Sequence, residues 1–441
     1  MLKLKDKKEL TADLAIRQAR LPLKAIIPLF QHIGKPAHPI VKVGDLVKTG
    51  QLIADSGGPD SVSASVHSSI SGKVLAIDDL AHPVLGRAKA MVIASDGLDQ
   101  KEEFKPIACA ETAERLSPQD IREAVLTSGI VGMGGAGFPS HIKLNSPKPI
   151  DSFILNGAEC EPYLTGDNRL MMERTDELIK GIGLAVKCVG AKNVYIAIED
   201  NKPEAIRAFE KRLPAAGYRL KVLKSRYPQG GEKQLIKAVL GREVPPGKFP
   251  FDVGALAHNA ATVYAIYEAV YLGKPLYERV VTVAGDCLEN PANLLARIGT
   301  TIRDLISECG PLKEEPKKIV FGGPMMGIAQ YSLDTPIIKT TGGVIFLAES
   351  EVEPAEEAFC LRCGRCVENC SLGLEPCLIS LAIEKEKWNL AKAYGALECM
   401  ECGSCSYVCP QRRNIVQSIK YAKTFPWERG KSIPLDKMRL K

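Results

Sequence analysis

Eight cysteines occur in two copies of one spacing near the end of the chain. The first copy is Cys360-x2-Cys363-x2-Cys366-x3-Cys370, and the second is Cys399-x2-Cys402-x2-Cys405-x3-Cys409, followed by Pro410. Bacterial proteins with two [4Fe–4S] clusters have this spacing, because three thiolates hold one cluster and the fourth holds the other. The spacing therefore predicts cluster one on Cys360, Cys363, Cys366 and Cys409, and cluster two on Cys399, Cys402, Cys405 and Cys370.

Zinc sites and disulfides explain this pattern less well. A tetrahedral zinc ion takes paired C-x2-C units, so a third cysteine at the same step in both copies has no role there. Disulfides are rare in chains that are not secreted, and the charged N-terminus lacks the apolar segment of a signal peptide. Ser371 replaces the proline that usually follows such a repeat, which affects the exit turn and not the ligands. Cys377 is a ninth cysteine in this stretch and is predicted to be a packing residue.

A glycine-rich loop is the second feature with a possible chemical role. Gly132-Met-Gly134-Gly135-Ala-Gly137-Phe138-Pro139 matches G-x-G-x-x-G. The dinucleotide fingerprint needs a strand before the glycines and a helix after them, whereas residues 121–127 have a helical pattern here and Pro139 follows at once. A close-packed turn therefore remains an alternative. In a ligand site, the loop N–H groups would approach a phosphate or flavin ring and Lys143 would supply a point charge.

Three further stretches place polar groups where an α/β sheet binds ligands. Asn156-Gly-Ala-Glu159-Cys-Glu161 follows a predicted strand, Tyr227-Pro-Gln-Gly230-Gly231-Glu232 follows another and opens a helix, and His258-Asn259-Ala-Ala-Thr262 opens the next helix. Ligands bind at the carboxyl ends of parallel strands and at helix N-termini. Singly, each stretch is typical of a surface turn or helix cap. Together, in a domain joined to a cluster domain, they favour a cofactor site.

The surrounding sequence predicts a multidomain chain of α/β and α+β units. Residues 1–100 have short strands punctuated by glycines, a pattern that resembles the barrel-sandwich hybrid fold of biotinyl and lipoyl carriers. The hairpin tip at 55–64 lacks the lysine that those carriers modify, so a structural or docking role is expected. Residues 115–272 alternate between helix and strand, with helices at 170–189 and 202–213, which predicts a Rossmann-like domain with a largely parallel sheet.

The second half of the chain adds two smaller predicted units. Residues 278–345 have mixed short elements, including a helix near 291–309, and predict a small α+β domain. An acidic linker at 350–358 leads to a helical double-cluster domain at 356–425. A basic C-terminal segment begins at Arg412 and reaches Lys441, and it suits either an acidic redox partner, a membrane surface or plain solvation.

Composition excludes several classes of protein. The net charge of +6 over 441 residues is mild, and no nucleic-acid-binding motif accompanies it. The most apolar stretches fall well short of the roughly 20 residues that span a bilayer. We therefore expect a chain that stays in the cytosol and touches a membrane only at its surface.

Several longer sequence motifs of this chain resemble those of a known family. Gly132-Met-Gly-Gly-Ala-Gly-Phe-Pro, Asn156-Gly-Ala-Glu-Cys-Glu-Pro-Tyr, Tyr227-Pro-Gln-Gly-Gly-Glu-Lys, Phe321-Gly-Gly-Pro-Met-Met-Gly and the double cysteine repeat look like the C subunits of Rnf electron-transport complexes, the ion-translocating ferredoxin:NAD oxidoreductases. The resemblance covers nearly the whole chain in order. More distantly, residues 115–270 are similar to the 51-kDa flavoprotein subunit of complex I, and residues 278–345 resemble a soluble-ligand-binding β-grasp module.

The resemblance implies FMN and NAD(H) as cofactors and assigns residues to them. The implied cofactor-binding residues are Gly132, Gly134, Gly135, Gly137, Phe138, Lys143, Asn156, Glu159, Glu161, Tyr227, Gly230, Gly231, Glu232, Asn259 and Thr262. Of these, Phe138, Glu161, Tyr227 and Glu232 are expected near the nicotinamide nucleotide. The sequence departs from the complex I pattern at Ala158, Gly231 and His258, which weakens the assignment there.

The implied reaction is electron transfer without a catalytic side-chain nucleophile or general acid. Nicotinamide gives up two electrons as a hydride and a [4Fe–4S] cluster accepts one, so a flavin must stand between them. The family implies membrane subunits and a ferredoxin-type iron–sulfur subunit as partners, with this chain peripheral on the cytoplasmic face of the membrane. Two alternatives remain at this point: a microcompartment cobalamin reductase with the same layout, and an electron-relay scaffold without nucleotide binding.

Overall fold

The N-terminal unit consists of two small sheets around one core. The computed structural model describes residues 1–109, 112–214, 217–352 and 359–424. The strands of this unit are β1 (Ile16–Gln18), β2 (Lys24–Pro28), β3 (His38–Pro39), β4 (Leu46–Val47), β5 (Leu52–Asp55), β6 (Val66–His67), β7 (Gly72–His82) and β8 (Gly86–Ser95). Their order is β2-β8-β7-β4 in one sheet and β3-β5-β6 in the other. Apolar side chains from both sheets, such as Ile27, Ile53 and Met91, share a buried core, as the predicted barrel sandwich requires.

The first strand leaves this unit. β1 pairs in parallel with β14 (Ala292–Arg297), a strand of the third unit. Arg17 and Arg20 reinforce the pairing through ion pairs with Glu308. The predicted unit 1–100 therefore contributes its first strand to the sheet of the predicted unit 278–345.

The second unit is a parallel α/β layer, as predicted. Its sheet has the order β11-β10-β9-β12, and every neighbouring pair is parallel. β9 and β10 are buried on both faces, which is typical of a sheet covered by helices on both sides. Its elements are α1 (Pro118–Thr127), α2 (Ser140–Leu144), β9 (Ser152–Gly157), α3 (Gly166–Glu173), α4 (Thr175–Val189), β10 (Asn193–Glu199), α5 (Pro203–Glu210), β11 (Tyr218–Leu223), α6 (Glu232–Leu240), β12 (Ala255–Asn259) and α7 (Ala260–Leu272).

Local signals explain several boundaries in this unit. Ser117 and Asp120 form the predicted capping box at the start of α1, with Pro118 at the first helical position. The helix predicted at 170–189 is wrong as one element, because the chain leaves helical geometry at Arg174 and forms α3 and α4 instead.

The strand order creates a switch point in this sheet. The chain builds outward from β9 through β10 to β11, and it then returns to the other side of β9 to add β12. The connection that follows β9 therefore runs to one side of β9, and the connection that leads into β12 arrives on its other side. Ligands of open α/β sheets bind at such a point, beyond the carboxyl ends of the strands.

The third unit is a mixed six-stranded sheet with one α-helix in the described residues. Its order is β1-β14-β13-β17-β15-β16, with β13 (Glu278–Ala284), α8 (Ile302–Glu308), β15 (Lys318–Phe321), β16 (Ile328–Ala329) and β17 (Gly343–Leu347). The helix predicted near 291–309 is wrong in its first half. Residues 292–297 instead form β14, which pairs antiparallel with β13, and the helix begins only after Thr301, whose hydroxyl caps it with Asp304.

The cysteine-rich unit is helical. It contains α9 (Arg365–Glu368), α10 (Pro376–Glu384), α11 (Trp388–Ala393), α12 (Ser404–Tyr407) and α13 (Ile415–Lys423). The two repeats share their local conformation: Arg362 and Glu401 both have positive φ, and so do Gly364 and Gly403 at the starts of α9 and α12. Residues 353–358 of the acidic linker predicted at 350–358, and residues 425–441 of the basic segment that begins at Arg412, lie outside the described residues. Within the described residues, no helix combines the length and apolarity that a bilayer crossing needs.

Candidate flavin and iron–sulfur sites

The glycine-rich loop is a closed turn between α1 and α2. Its ends meet, because the Gly132 N–H donates to the Phe138 carbonyl (2.9 Å) and the Gly137 N–H donates to the Gly132 carbonyl (3.1 Å). Gly135 and Gly137 have backbone φ angles of 112° and 69°, values that residues with a side chain rarely adopt. Gly134 and Gly135 are exposed at the tip and Phe138 is half-buried behind it. The loop thus differs from the strand–loop–helix dinucleotide motif, as the sequence predicted, and leaves backbone available to a ligand.

The loop lies against the switch point of the parallel sheet. Asn156 at the end of β9 pairs in register with Asn259 at the end of β12. The Asn259 side chain accepts from the N–H groups of the first turn of α7 and donates to Asp167 Oδ2 (2.5 Å). A Cβ at Gly134 would lie 3.1 Å from the Asn259 Cβ, and the Met133 N–H donates to Thr262 Oγ1 (2.9 Å). The predicted residues of the glycine loop, β9 and β12 therefore meet at one edge of the sheet.

The loop before α6 closes the other side of this edge. Asn156 Nδ2 donates to the Gly230 carbonyl (3.0 Å), and a Cβ at Gly230 would lie only 2.3 Å from the Ala158 carbonyl oxygen. Lys143 Nζ donates to Glu232 Oε1 (2.7 Å) and to the Ala257 carbonyl (2.6 Å). Lys143 is thus held between α6 and β12, with its charge paired by Glu232.

The two predicted carboxylates have protein partners. Glu159 accepts from the N–H groups of Asp167 (2.9 Å) and Asn168 (3.2 Å) at the start of α3. Glu161 accepts from the N–H groups of Met325 (3.0 Å) and Met326 (2.9 Å), and the Tyr227 hydroxyl oxygen lies 3.3 Å from its Oε1 atom. Burial raises the pKa of Glu161 to about 6, although these hydrogen bonds oppose that rise. Glu161 therefore joins the α/β unit to the turn after β15.

Sequence reasoning missed several polar residues around the site. Burial and the nearby Glu159 raise the pKa of Asp167 to about 7, and burial lowers the pKa of Arg279 to about 10. Burial also keeps the His258 ring neutral by lowering its pKa well below the usual range. The Asn168 Oδ1 and His258 Nε2 atoms are buried without a partner among the described residues. No short motif marks Asp167 or Arg279, because folding alone brings them to the site.

The eight cysteines of the repeats line two separate cavities. A cavity of about 600 Å³ is lined by the four cysteines predicted for cluster one, Cys360, Cys363, Cys366 and Cys409. A much smaller cavity, about 20 Å³, is lined by the four predicted for cluster two, Cys370, Cys399, Cys402 and Cys405. Among residues 1–109, 112–214, 217–352 and 359–424, no three Cys, His, Asp or Glu side chains are arranged to hold a single metal ion.

The cavity of cluster two adjoins the candidate flavin site. The Tyr227 hydroxyl donates to the Cys402 carbonyl (2.6 Å), and Gln234 Nε2 on α6 donates to Ser371 Oγ (3.0 Å), next to Cys370. A Cβ at Gly231 would lie 2.5 Å from the Met400 Cε atom. The loop at 227–231 is therefore packed against the cysteine loops around the smaller cavity.

The rim of the larger cavity is exposed, basic and partly apolar. Cys363 is exposed, and Phe359 and Leu361 nearby are 92% and 63% exposed. Four exposed basic residues also line this cavity: Arg362, Arg365, Lys385 and Lys387. The exposed acidic residue Glu375 lies among them. This rim has the composition of a surface that meets an acidic partner.

Comparison with known proteins matches each of the first three units to a family. Residues 2–98 match the RnfC barrel sandwich hybrid domain, residues 125–268 match the Nuo51 FMN-binding domain, and residues 280–329 match the SLBB domain. These matches confirm the predicted barrel sandwich and the FMN-binding α/β unit, and they assign the third unit to the SLBB family. The double-cluster ferredoxin domain stays a prediction.

Whole-chain relatives and a solved structure agree with these units. The C subunit of the proton-translocating ferredoxin:NAD(+) oxidoreductase complex of Clostridium ljungdahlii is 46% identical over 95% of this chain and 92% of its own length. The C subunit of the Na(+)-translocating complex of Acetobacterium woodii is 42% identical over 95% of this chain and 94% of its own length. The NAD+-reducing [NiFe]-hydrogenase in its H2-reduced state shares the fold, with a TM-score of 0.50 and 18% identity over 72% of this chain and 64% of that chain. These matches lend no support to the cobalamin-reductase alternative. With identity above 40% over nearly its whole length, the chain belongs to the family of C subunits of ion-translocating ferredoxin:NAD oxidoreductase complexes.

Proposed function

We propose that this oxidoreductase subunit exchanges a hydride between NAD(H) and an FMN in the α/β unit, and single electrons with two [4Fe–4S] clusters in the cysteine-rich unit. The observation that carries the proposal is the hydrogen bond from Tyr227 to the carbonyl of Cys402, 2.6 Å long. It connects a loop of the candidate flavin site directly to a cysteine loop. The cysteines that would hold cluster two therefore lie next to the candidate flavin site, where a cluster would be the adjacent electron carrier.

Three features of the switch point fit FMN. The exposed glycine backbone of the loop offers N–H groups without Cβ atoms in the way. The N-terminus of α7 lies at this edge, and its positive end favours a nearby anionic group even though Asn259 already caps the N–H groups of Ala261 and Thr262. The buried Asn168 Oδ1 and His258 Nε2 atoms still need hydrogen-bond partners.

The residues of the site position and shield the cofactors. FMN, when bound, supplies the exchange between one hydride and two single electrons. The glycine loop sets its distance from the sheet, and Lys143 adds positive charge that its ion pair with Glu232 keeps in place (2.7 Å). Phe138 provides an apolar face for the nicotinamide nucleotide. Glu161 and Tyr227 hold the turn after β15 and the Cys402 loop against the site.

We assign the clusters to the two cavities and infer an order between them. Cluster two, on Cys370, Cys399, Cys402 and Cys405, lies next to the loop at 227–231. Cluster one lies at the exposed, basic rim around Phe359 and Arg362. The spatial order is then the candidate flavin site, the cysteines that would hold cluster two, the cysteines that would hold cluster one, and an acidic iron–sulfur partner at the rim.

The names of the relatives extend the proposal to a complex. The Clostridium and Acetobacterium proteins are subunits of ion-translocating complexes, and translocation requires subunits that cross a membrane. We infer that this chain is peripheral on the cytoplasmic face of such a complex. Its partners there are the membrane subunits and a ferredoxin-type iron–sulfur subunit, not nucleic acid.

Anaerobic titration with NADH tests the proposal. Protein reconstituted with FMN, iron and sulfide is titrated while flavin and cluster absorbance are recorded together. We expect NADH to bleach both, since the flavin passes electrons to the adjacent cluster. In Gly134→Val, whose side chain would press on Asn259, dithionite should still reduce the clusters while NADH should not. Clusters that stay oxidised in NADH-treated wild type with bound FMN would refute the proposal.

A further inference from the structure

The larger cavity contains a fifth thiol. Cys377 lines it together with Cys360, Cys363, Cys366 and Cys409. The sequence predicted only a packing residue here, and Cys377 does contact the core of the unit. Its half-buried side chain also lies on the cavity wall, however, among the four predicted ligands of cluster one.

Cys377 lies against one of these ligands in particular. Cys366 shares its cavity and its packed core, and the side chain and backbone N–H of Cys377 face the Cys366 thiol. Cys377 is the second residue of α10, directly after Pro376.

The other half of the unit has no such thiol at the matching place. Cys377 follows Cys370 by seven residues, and Val416 follows Cys409 by seven. Val416 is the second residue of α13 and lines the smaller cavity, just as Cys377 is the second residue of α10 and lines the larger one. At this matched position the first repeat therefore has a thiol, and the second has an apolar side chain.

We propose that Cys377 is a reserve ligand of cluster one, able to take the place of Cys366 at the iron that Cys366 binds. The proposal rests on the proposed function, namely that the larger cavity holds a [4Fe–4S] cluster. The contact between Cys377 and Cys366 gives it the reach, because the replacing thiol must approach the same corner of the cluster. The other three ligands stay unchanged.

The exchange requires no oxidant or reductant. The Cys377 thiol loses a proton and its thiolate forms the new iron–sulfur bond. The bond between iron and the Cys366 thiolate breaks, and the departing thiolate takes up a proton. The cluster keeps its electrons and its charge. A spare thiol would preserve this cluster when its bond to Cys366 is lost.

Iron and sulfide analysis of matched variants tests the proposal. Cys366→Ala should keep about eight irons per chain, as the wild type does, while the double variant Cys366→Ala/Cys377→Ala should keep about four. The control is Cys405, the matched ligand in the second repeat. Cys405→Ala should drop to about four irons, and Cys405→Ala/Val416→Cys should recover about eight. The reduced Cys366→Ala protein should show an altered electron paramagnetic resonance spectrum, because one ligand has changed.

The outcomes separate this proposal from the proposed function. If wild type holds no iron, the proposed function fails. If wild type is full but Cys366→Ala and the double variant lose the same iron, the reserve-ligand proposal is wrong. The flavin content of each preparation shows whether the rest of the chain is folded. If Cys366→Ala does not accumulate, the iron content of Cys405→Ala/Val416→Cys still tests the proposal. A Cys405→Ala/Val416→Cys protein that holds no more iron than Cys405→Ala also counts against the proposal.

Discussion

Replacing Gly230 by alanine should weaken FMN binding. A Cβ at Gly230 would lie 2.3 Å from the Ala158 carbonyl oxygen and 3.3 Å from Cys160 Sγ. The first distance is too short for a carbon and an oxygen, so the loop at 227–231 must move away from the end of β9. Overpacking of this kind costs about 1–3 kcal/mol. If the loop relaxes in the free protein and must return when FMN binds, the Kd rises about 5- to 150-fold.

Quenching of FMN fluorescence by apoprotein measures this effect. Gly183→Ala is the matched control, since that glycine lies within α4 and its new Cβ would have only the Tyr218 hydroxyl at 3.9 Å. The control should bind FMN as wild type does and unfold no more easily, because alanine favours a helix. A Gly230→Ala protein with wild-type affinity and an intact circular dichroism spectrum would refute the placement of this loop in the flavin site.

Three further changes probe the contacts that surround the site. Tyr227→Phe removes the hydrogen bond to the Cys402 carbonyl, worth about 1 kcal/mol, so a chelator should extract iron about five-fold faster than from wild type; equal extraction rates would contradict this. Burial holds the pKa of Glu161 in the folded protein at about 6, above the ordinary 4.5. Protonated Glu161 therefore stabilises the folded state by roughly 2 kcal/mol below about pH 4.5, and this stability is lost as the pH rises through about 6. Glu161→Gln does not ionise, so its free energy of unfolding relative to wild type should rise by that amount between about pH 4.5 and pH 7, and a difference independent of pH would contradict this. Lys202→Met leaves Glu199, 1% exposed, without its ion-pair partner at 2.9 Å, and should cost about 3–5 kcal/mol; an unchanged melting temperature would show that the pair is not buried.

Patterns that depend on near neighbours could be predicted from the sequence. The capping box at Ser117 and Asp120 and the buried strand at 153–155 are determined by a few adjacent residues, and both are present. The cysteine spacing is equally local. These features need no knowledge of what packs against them.

Elements that depend on distant partners could not be predicted. Residues 292–297 have apolar residues compatible with a helix, but they form β14 because β13 and β1 pair with it on both sides. The pairing of β1 joins residues nearly 280 positions apart, so no local window contains its signal. Tertiary pairing of this kind overrides helix propensity.

The candidate site shows the same division. The glycine loop, Asn156 and Asn259 meet as expected because the carboxyl ends of parallel strands share one edge. The contact of Glu161 with Met325, a residue of another unit, had no sequence signal. The same holds for the contact of Cys377 with Cys366, because the spacing of the repeat does not include it.

We propose that the two sets of four cysteines hold two [4Fe–4S] clusters beside one flavin. Counting iron, acid-labile sulfide and flavin per chain in anaerobically purified protein tests it most directly. We expect about eight irons, about eight sulfides and about one FMN per chain. Colourless protein that carries zinc, or no metal, would contradict it.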